Sequence, residues 1–232
     1  MNQQEIRELF DQQAANYDTQ WSKTQALRDC LYMLVNAAFA DLPAAARLIC
    51  VGAGTAAEIL YFAAKNPGWQ FTVVEPSAAM LDQCRQNAER AGLMERCRFH
   101  QGYLESLEAG DQFDAATCFL VSQFILDQQQ RIAFFQQILQ RLKPGATLAS
   151  TDLAADVQSA EYGLLLRDWM NLMAVADLSE KAMARMRNAY EKEVGVIPAV
   201  QVEGLLRSAG FHSSLQFFQA GLIHGWLSRR AH

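Results

Sequence analysis

The sequence predicts an α/β fold in which a doubly wound, mostly parallel sheet is covered by helices on both faces. Apolar or β-branched runs alternate with helical segments, as is typical of parallel sheets. These runs are residues 47–51, 69–76, 97–103, 113–125 and 146–153. Near the C-terminus, HSSLQFFQ and LIHGWLSRR predict two more strands in a hairpin, and therefore an antiparallel edge of the sheet.

Composition narrows the class of protein. The 232 residues are 51% hydrophobic and carry a net charge of −5, which favours a globular enzyme and argues against a nucleic-acid partner. The five cysteines have no Cys-x-x-Cys spacing, so no zinc or other metal site is expected. The polar N-terminus and the lack of a long apolar run predict a cytoplasmic protein without a membrane span.

The segment RLICVGAGTAAEIL reads as a strand, a glycine turn and a helix. Gly52 and Gly54 fall where ligands bind in doubly wound sheets, beyond the carboxyl end of a strand. Glu75 follows Gly54 by 21 positions and ends the next predicted strand, and a carboxylate there can accept both hydroxyls of a ribose. This pairing predicts a ligand that contains ribose.

The glycine pattern disfavours a dinucleotide. Ala57 occupies the place of the third glycine, and Glu58 would put a carboxylate beside a pyrophosphate. That carboxylate suits a ligand with an ammonium and a sulfonium better, so a nicotinamide oxidoreductase is the least favoured interpretation.

At these residues the chain resembles the class I S-adenosylmethionine-dependent methyltransferases, over essentially its whole length. ICVGAGT is similar to their first motif and VVEPSAAML to their second, while FDAATCFLVSQFI and LKPGATLASTDL resemble their fourth-strand and fifth-strand motifs. The resemblance implies a Rossmann-like, seven-stranded sheet with an antiparallel C-terminal strand and a helical lid. It implies S-adenosylmethionine as cofactor and methyl transfer to a small, partly apolar molecule.

The resemblance also assigns regions and residues. It implies one domain made of an N-terminal helical cover (1–42), a cofactor-binding core (43–153), a helical lid insert (154–197) and a C-terminal helix with a hairpin (198–232). The implied cofactor contacts are Gly52, Ala53 and Gly54 at the methionine part, Glu75 at the ribose, Pro76, Ser77 and Met80 on the adenosine side, Tyr103 and Leu104 beside the adenine, Phe119 and Leu120 at the far wall, and Tyr17 as an aromatic cover.

The chain departs from the family at three positions. Cys50 replaces the acid that many members carry before the glycines, Ala56 replaces a glycine, and Tyr103 replaces an aspartate that often binds the adenine amino group. Tyr103 would stack on the base or donate its hydroxyl. A non-catalytic S-adenosylmethionine-binding protein therefore stays open as an alternative.

A second alternative is a carboxy-S-adenosylmethionine synthase of transfer RNA modification, which VSQFILDQQQRIAFFQQILQRLKPG and LRSAGFHSSLQFFQ resemble. Members of that group hold the extra carboxylate with an arginine, where this chain has Leu205. Ordinary methyl transfer is therefore preferred. The sequence leaves the acceptor unidentified and a homodimer open.

No general base stands out in the sequence. The candidates are Gln123 and Asp152 at strand ends, and Tyr162 in the insert. Asp152 has an alternative role as the cap of the following helix. His212 and His224 are further candidates for contact with the substrate.

Overall fold

A computed structural model of the protein describes residues 2–110, 112–174 and 180–232. Its strands are β1 (Arg47–Val51), β2 (Gln70–Glu75), β3 (Cys97–Gln101), β4 (Phe113–Phe119), β5 (Leu142–Leu153), β6 (Ser213–Ala220) and β7 (Ile223–Arg229). Its helices are α1 (Gln3–Gln13), α2 (Tyr17–Trp21), α3 (Gln25–Ala38), α4 (Ala57–Lys65), α5 (Ala78–Arg90), α6 (Gln128–Arg141), α7 (Tyr162–Ala174), α8 (Glu180–Lys192) and α9 (Ala199–Ser208).

The described strands form one seven-stranded sheet in the order β3-β2-β1-β4-β5-β7-β6. The first five strands in this order run parallel, and β7 pairs antiparallel with both β5 and β6. The order reverses between β1 and β4, so the carboxyl end of β1 lies at the switch point of the sheet, where such folds bind ligands. The predicted doubly wound sheet with an antiparallel C-terminal strand is confirmed.

Two apolar layers fix the sheet between its helices. On one face, Phe62 of α4 and Leu81 of α5 pack with Val35 of α3 against the sheet. On the other face, Phe135 of α6 and Leu206 of α9 pack on the sheet around Trp226. Because each strand is held from both sides, the ends of β1, β2 and β4 are rigid supports for a site.

The N-terminal cover is built differently from this core. The spacing of apolar residues in IRELFDQQAANYD predicts one helix, but a 3-10 turn, Ala14–Asn16, interrupts it and separates α1 from α2. Neither α1 nor α2 contains a buried residue, whereas α3 buries Leu31, Tyr32 and Val35. The first two helices therefore rest on the protein through polar contacts and through partly buried side chains such as Phe10, whose ring packs edge-on against Phe124.

The helical insert begins and ends at one place on the sheet. Ala154 and Ile197 form an isolated parallel bridge, so the two ends of the segment 154–197 are held together. Trp169 and Met173 of α7 pack with Leu153 and Leu222, which joins the insert to the edge of the sheet. The part of the predicted insert at 175–179 lies outside the described residues.

One predicted boundary is wrong. The sequence predicts that strand five begins after the turn Lys143-Pro144-Gly145, but β5 begins at Leu142. Phe113 pairs with Leu142 and Ala115 pairs with Thr147, so a register irregularity accommodates the intervening residues. Gly145, at φ +77°, supplies the left-handed backbone that this bulge requires. None of the described helices is long and apolar enough to cross a bilayer.

Candidate functional site

The loop between β1 and α4 has a backbone that only some residues tolerate. Gly52 (φ +69°) and Gly54 (φ +54°) are both left-handed. A Cβ on Gly52 would lie 2.4 Å from Val121 Cγ2, whereas a Cβ on Gly54 would meet no atom within 4 Å. Gly52 is therefore required by packing as well as by conformation, while Gly54 leaves open space beside its backbone.

Ala56 continues this loop in the same region of backbone space. Its φ is +79°, and its backbone forms the N-terminal boundary of α4. A left-handed alanine costs about 1–2 kcal/mol relative to a right-handed one. Position 56 thus has the left-handed backbone that glycine adopts most easily, which is consistent with the glycine that the family carries there.

Glu75 is the best-held polar side chain at the loop. Its Oε2 accepts a hydrogen bond from the Gly54 N–H at 3.0 Å, and its Oε1 accepts one from the Ser77 N–H at 2.9 Å. The side chain is buried, which raises the pKa of its carboxyl, while the two N–H donors act in the opposite direction. Each oxygen keeps a second lone pair, so the carboxylate can still accept two hydroxyl hydrogens.

Beyond Glu75 the chain begins α5 with a local cap. The segment SAAMLDQCRQNAERAGL predicts a helix with Ser77 as its N-cap. The Met80 N–H donates to Ser77 Oγ at 3.1 Å, which confirms this cap. Ser77 and Met80 are both buried, so the start of this helix forms a firm wall beside the carboxylate.

A cavity of about 1030 Å³ opens in front of the loop. All twelve residues predicted to contact the cofactor line it. They are Tyr17, Gly52, Ala53, Gly54, Glu75, Pro76, Ser77, Met80, Tyr103, Leu104, Phe119 and Leu120. The structure thus brings the predicted set together around one space, although contact with a cofactor itself stays a prediction.

Tyr103 is fixed at one end of this cavity by the N-terminal cover. Its hydroxyl donates to the main-chain oxygen of Gln3 at 2.8 Å. Of the two predicted roles, donation of the hydroxyl to a ligand conflicts with this bond. The ring face is the part of Tyr103 that remains for a flat ligand group.

Glu58 is a cavity-lining carboxylate that the sequence analysis did not assign as a site residue. It lies in the first turn of α4, is 5% exposed, and accepts a hydrogen bond from Thr117 Oγ1 at 3.1 Å. Burial raises the pKa of its carboxyl to about 8. Thr117 pairs with Cys50 across β1 and β4, so the Glu58 carboxyl reaches the place where the family's acid is replaced by cysteine.

Arg28 of α3 lines the same end of the cavity. Among the described residues it makes no hydrogen bond or ion pair. Its charge and that of Glu58 both act on Tyr17 and Tyr32, which places these four side chains around one space. Burial raises the pKa of the Tyr17 hydroxyl to about 12 and that of Tyr32 well above its usual value, so both tyrosines are neutral near pH 7.

Two aspartates attach the cover to the site. Asp11 Oδ1 accepts from Ser77 Oγ at 2.5 Å and from the Ala79 N–H at 3.1 Å. We call this contact the first latch. It ties the end of α1 to the wall beside Glu75.

The second latch is made by Asp18. Its Oδ1 accepts from Thr55 Oγ1 at 2.5 Å, and its Oδ2 accepts from Asn87 Nδ2 at 3.1 Å. Asn87 also donates to the Thr55 carbonyl at 2.8 Å, so the glycine loop is bound from the cover and from α5 together.

The predicted general-base candidates lie outside the cavity. Asp152 is fully buried in β5, where it accepts from Ser122 Oγ at 2.8 Å and pairs with Arg131 Nη2 at 3.1 Å. Its predicted alternative role as a helix cap is wrong, because the next helix begins only at Tyr162. Burial raises the pKa of the Asp152 carboxyl, and the Arg131 guanidinium opposes this shift.

The other candidates are placed as follows. Gln123 is buried and accepts the Leu153 N–H through Oε1 at 2.8 Å, so its side chain supports the sheet. Tyr162 begins α7 and packs in the apolar cluster of the insert. His224 is buried and stacks on Trp226, and His212 is exposed before β6. None of these side chains lines the cavity as the described residues define it.

Two further sequence expectations can be located. Leu205 is buried in the apolar layer between α9 and the sheet, away from the cavity. Within the described ranges, no three His, Cys, Asp or Glu side chains are grouped to hold a metal ion. The described cysteines Cys50, Cys84 and Cys118 are buried thiols whose pKa values are raised by burial.

Comparison with known proteins agrees with this geometry. Residues 49–145 match the family model described as Methyltransferase domain. No curated protein sequence matches the chain.

Solved structures show the same fold at low identity. The mitomycin 7-O-methyltransferase MmcR is 20% identical with a TM-score of 0.64, over 99% of this chain and 59% of its own. The S-adenosylmethionine-dependent methyltransferase SibL is 19% identical with a TM-score of 0.60, over 86% of this chain and 55% of its own. The [4+2]-cyclase SpnF is 18% identical with a TM-score of 0.63, over 88% of this chain and 80% of its own.

This chain therefore spans less than two thirds of the length of MmcR and of SibL. These structures share the sheet and its helices, while the activities in their names differ. The chain has the fold of the S-adenosylmethionine-dependent methyltransferases, and its residues 49–145 match a methyltransferase domain.

Proposed function

We propose that the protein is an S-adenosylmethionine-dependent methyltransferase that acts on a small, partly apolar molecule. The observation that carries the proposal is Glu75, a buried carboxylate held by the Gly54 and Ser77 N–H groups at the carboxyl end of β2, facing the cavity. Such a carboxylate is costly to bury unless it is hydrogen-bonded. Two free lone pairs at this place suit the two hydroxyls of a ribose.

The residues on either side of Glu75 fit an adenosine. Met80 and Leu104 are buried apolar walls of the cavity, and the Tyr103 ring stands beside them with its hydroxyl already bonded to Gln3. A purine needs flat apolar surfaces above and below it. In the family, an aspartate often binds the adenine amino group at the position of Tyr103, and here the ring face replaces that contact.

One wall of the cavity, formed by α3, β4 and the C-terminal hairpin, suits an apolar acceptor. Leu31, Tyr32 and Phe119 line it together with Phe218 and Ile223. At about 1030 Å³ the cavity lies at the upper end of the range for small-molecule sites, about 300–1,000 Å³, so it can admit a second molecule beside a cofactor.

The bound cofactor would supply a methyl group on a positively charged sulfur, which an acceptor nucleophile can displace directly. The protein would then have to align the acceptor and exclude water, and alignment alone can lower a barrier by about 7–11 kcal/mol. The cover helices α1 and α2 lie over the cavity and serve the second purpose. No described carboxylate, imidazole or amide among the predicted base candidates lines the cavity, so the proposal assigns no general base to them.

The test is a titration of the purified protein by calorimetry with S-adenosylmethionine, S-adenosylhomocysteine and NAD. We expect micromolar binding of the first two, no binding of NAD, and loss of binding in Glu75→Ala. Glu105→Ala is the matched control, since Glu105 also lines the cavity but is exposed. Binding that is indifferent to Glu75, or selective for NAD, would refute the proposed ligand.

Catalysis is tested separately by the release of S-adenosylhomocysteine in the presence of small acceptors with a hydroxyl, amine or thiol on an apolar body. Turnover with a member of this panel would support a methyltransferase. Tight cofactor binding without turnover on any member would support the alternative of a protein that only binds the ligand.

A further inference from the structure

We infer that Glu58 binds the ammonium of the cofactor's amino-acid group, in place of the acid that the family carries at the position of Cys50. The inference rests on the proposed function and concerns the end of the cavity opposite Tyr103. Glu58, in the first turn of α4, would then provide the negative charge that Cys50 of β1 cannot provide.

The order of residues along the cavity places the ammonium near Glu58. Tyr103 and Leu104 lie beyond β3, and Glu75 lies at the end of β2. The glycine loop and the first turn of α4 follow on the other side of Glu75. A ligand whose ribose is held at Glu75, with its base toward Tyr103, extends its other substituent across Gly54 toward Glu58.

Glu58 is the carboxylate available at that end. Among the described residues, the acids that line the cavity are Glu58, Glu75, Glu105 and Asp127. Glu75 is occupied with two backbone N–H groups, while Glu105 and Asp127 belong to the segments around Tyr103 and the start of α6. An ammonium buried at this end requires an anionic partner.

Glu58 is a buried carboxyl group with no cationic side chain beside it among the described residues. It is 5% exposed and is hydrogen-bonded to Thr117, yet no described Lys, Arg or His lies within ion-pair distance of it. Burying a carboxylate without a cation is costly. The cost is understandable at a site where a ligand brings the cation.

Cys50 explains why the carboxylate comes from α4. Cys50 is fully buried and faces Thr117 on the neighbouring strand, and Glu58 is bonded to the same Thr117. The smaller cysteine side chain leaves room for a carboxyl group that enters from the helix. The carboxyl group thus belongs to α4 and not to β1, but it lies beside the same residue of β4, Thr117.

Arg28 completes the recognition of an amino-acid group. It lines the same end of the cavity and has no partner among the described residues. Tyr17 and Tyr32 line the same cavity as Glu58 and Arg28. One anion and one cation at a single end match a group that carries an ammonium and a carboxylate.

Protonation gives the inference an independent observable. Burial raises the pKa of the Glu58 carboxyl to about 8, so it is protonated near pH 6.5 in the free protein. An ammonium beside it favours the ionised form, so binding releases a proton. The other titratable or charged groups around Glu58 are Cys50, Cys84, Cys118, Glu75, Tyr17, Tyr32 and Arg28.

The cysteines and tyrosines in this set have raised pKa values, so they stay neutral at pH 6.5 with or without ligand. Glu75 faces the ribose, so ligands with the same adenosine make the same contacts with it, whereas Glu58 is the carboxyl nearest the amino-acid group. A comparison of two ligands that share adenosine isolates Glu58.

The experiment compares S-adenosylmethionine and S-adenosylhomocysteine with 5′-methylthioadenosine, which has the same adenosine and no amino-acid group. In Glu58→Gln we expect both amino-acid ligands to bind about 10–100-fold more weakly, because an ion pair becomes a bond to a neutral amide. Binding of 5′-methylthioadenosine should change less than about threefold, which also shows that the variant is folded. Glu89→Gln is the control, since Glu89 is exposed on α5 and outside the described lining of the cavity, and all three ligands should bind this variant as they bind the unchanged protein.

In the unchanged protein, calorimetry in buffers of different ionisation enthalpy should show that S-adenosylhomocysteine releases at least about half a proton more than 5′-methylthioadenosine near pH 6.5. Equal release by the two ligands would overturn the inference without any variant. Equal loss of all three ligands in Glu58→Gln, or loss of S-adenosylmethionine alone, would also overturn it, the latter because it would identify the sulfonium. Failure of the unchanged protein to bind any of the three would instead refute the proposed function.

Discussion

Two buried carboxylates lie on either side of one glycine loop, and they are held in opposite ways. Glu75 ends β2 and accepts two backbone N–H groups, from Gly54 and Ser77. Glu58 lies in the first turn of α4 and accepts the side-chain hydroxyl of Thr117 and a hydrogen bond from its own backbone N–H. Burial raises the pKa of both carboxyls, and for Glu58 the value reaches about 8.

The difference shows how one loop can serve two ligand groups. Fixed backbone donors orient Glu75 before any ligand arrives, which suits hydroxyls that must be met at defined angles. Glu58 has little to stabilise its charge, so the charged form depends on what binds beside it. The cover is hydrogen-bonded on both sides of the loop. The first latch joins Asp11 to Ser77 beside Glu75, and the second latch joins Asp18 to Thr55 in the loop before Glu58.

The largest expected effect is a pH-dependent change in the free energy of unfolding when Glu58 is replaced. The folded pKa of Glu58, about 8, exceeds its unfolded value of 4.5, so its contribution to stability is full below pH 4.5 and is lost as the pH rises to 8. We expect Glu58→Gln to match the unchanged protein near pH 4.5 and to exceed it by up to about 5 kcal/mol near pH 8.5. Urea unfolding of the ligand-free proteins at both pH values measures the free energies.

The burial of Asp152 also raises a carboxyl pKa, but Asp152 is present in both proteins and cancels from the comparison. An equal stability difference at the two pH values would show that Glu58 is not the carboxyl with the raised pKa.

The same substitution at the other carboxylate should have the opposite sign. In Glu75→Gln the amide NH₂ must face the N–H of either Gly54 or Ser77, which leaves a buried donor unpaired at a cost of about 1–3 kcal/mol of stability. The bond to the ribose also weakens, so 5′-methylthioadenosine should bind at least about 100-fold less well, or about 3 kcal/mol. Unfolding and calorimetry measure the two effects, and a Glu75→Gln variant as stable as the unchanged protein would contradict the role of the backbone donors.

The two latches should differ in what they release. Asp11→Ala and Asp18→Ala each remove two hydrogen bonds to a charged group, so we expect the local opening of α1 and α2 to become about 10–30-fold more frequent. Hydrogen exchange read by mass spectrometry should show faster exchange in the cover of both variants, and faster exchange of the glycine loop in Asp18→Ala alone. Asp29→Ala is the control, since Asp29 is exposed and accepts a hydrogen bond from Gln25, a residue of the same helix α3.

The smallest effect belongs to Tyr103. Tyr103→Phe removes the hydrogen bond to Gln3 and keeps the ring, so 5′-methylthioadenosine should bind within about fivefold of its normal affinity. Tyr61→Phe, a change on α4 outside the described lining of the cavity, serves as the control. A loss of 100-fold would show that the hydroxyl, rather than the ring, contacts the base.

Local signals made part of this site predictable. The Gly-x-Gly turn, the acid 21 residues later and Ser77 at a helix start depend on residues close in sequence, and each has a conformational reason that applies to short segments. The sheet was predictable for the same reason, since the alternation of strand and helix is a local pattern.

The remainder depends on pairs that are far apart in the chain. Thr117 lies 59 residues from Glu58, and Asp18 lies 37 residues from Thr55, so neither contact has a local signature. Glu58 gave one signal, a carboxylate just inside the helix, which disfavoured a pyrophosphate and favoured a ligand with an ammonium and a sulfonium, but did not indicate a contact of its own. Asp152 was wrongly predicted as a candidate base, because the sequence does not show whether a polar residue at a strand end faces a ligand or, as here, a buried arginine.

The bridge between Ala154 and Ile197 allows the length of the insert to change without displacing the strands of the sheet. Because the two residues pair, and the Ala155 N–H also donates to the Ile197 carbonyl at 3.0 Å, the chain leaves the sheet and returns at nearly the same point. Lengthening a closed excursion adds little entropic cost, about 0.6 kcal/mol for each doubling of its length. No described residue of the insert lines the cavity, so mutation can replace or resize this segment while the glycine loop and its two carboxylates are inherited unchanged.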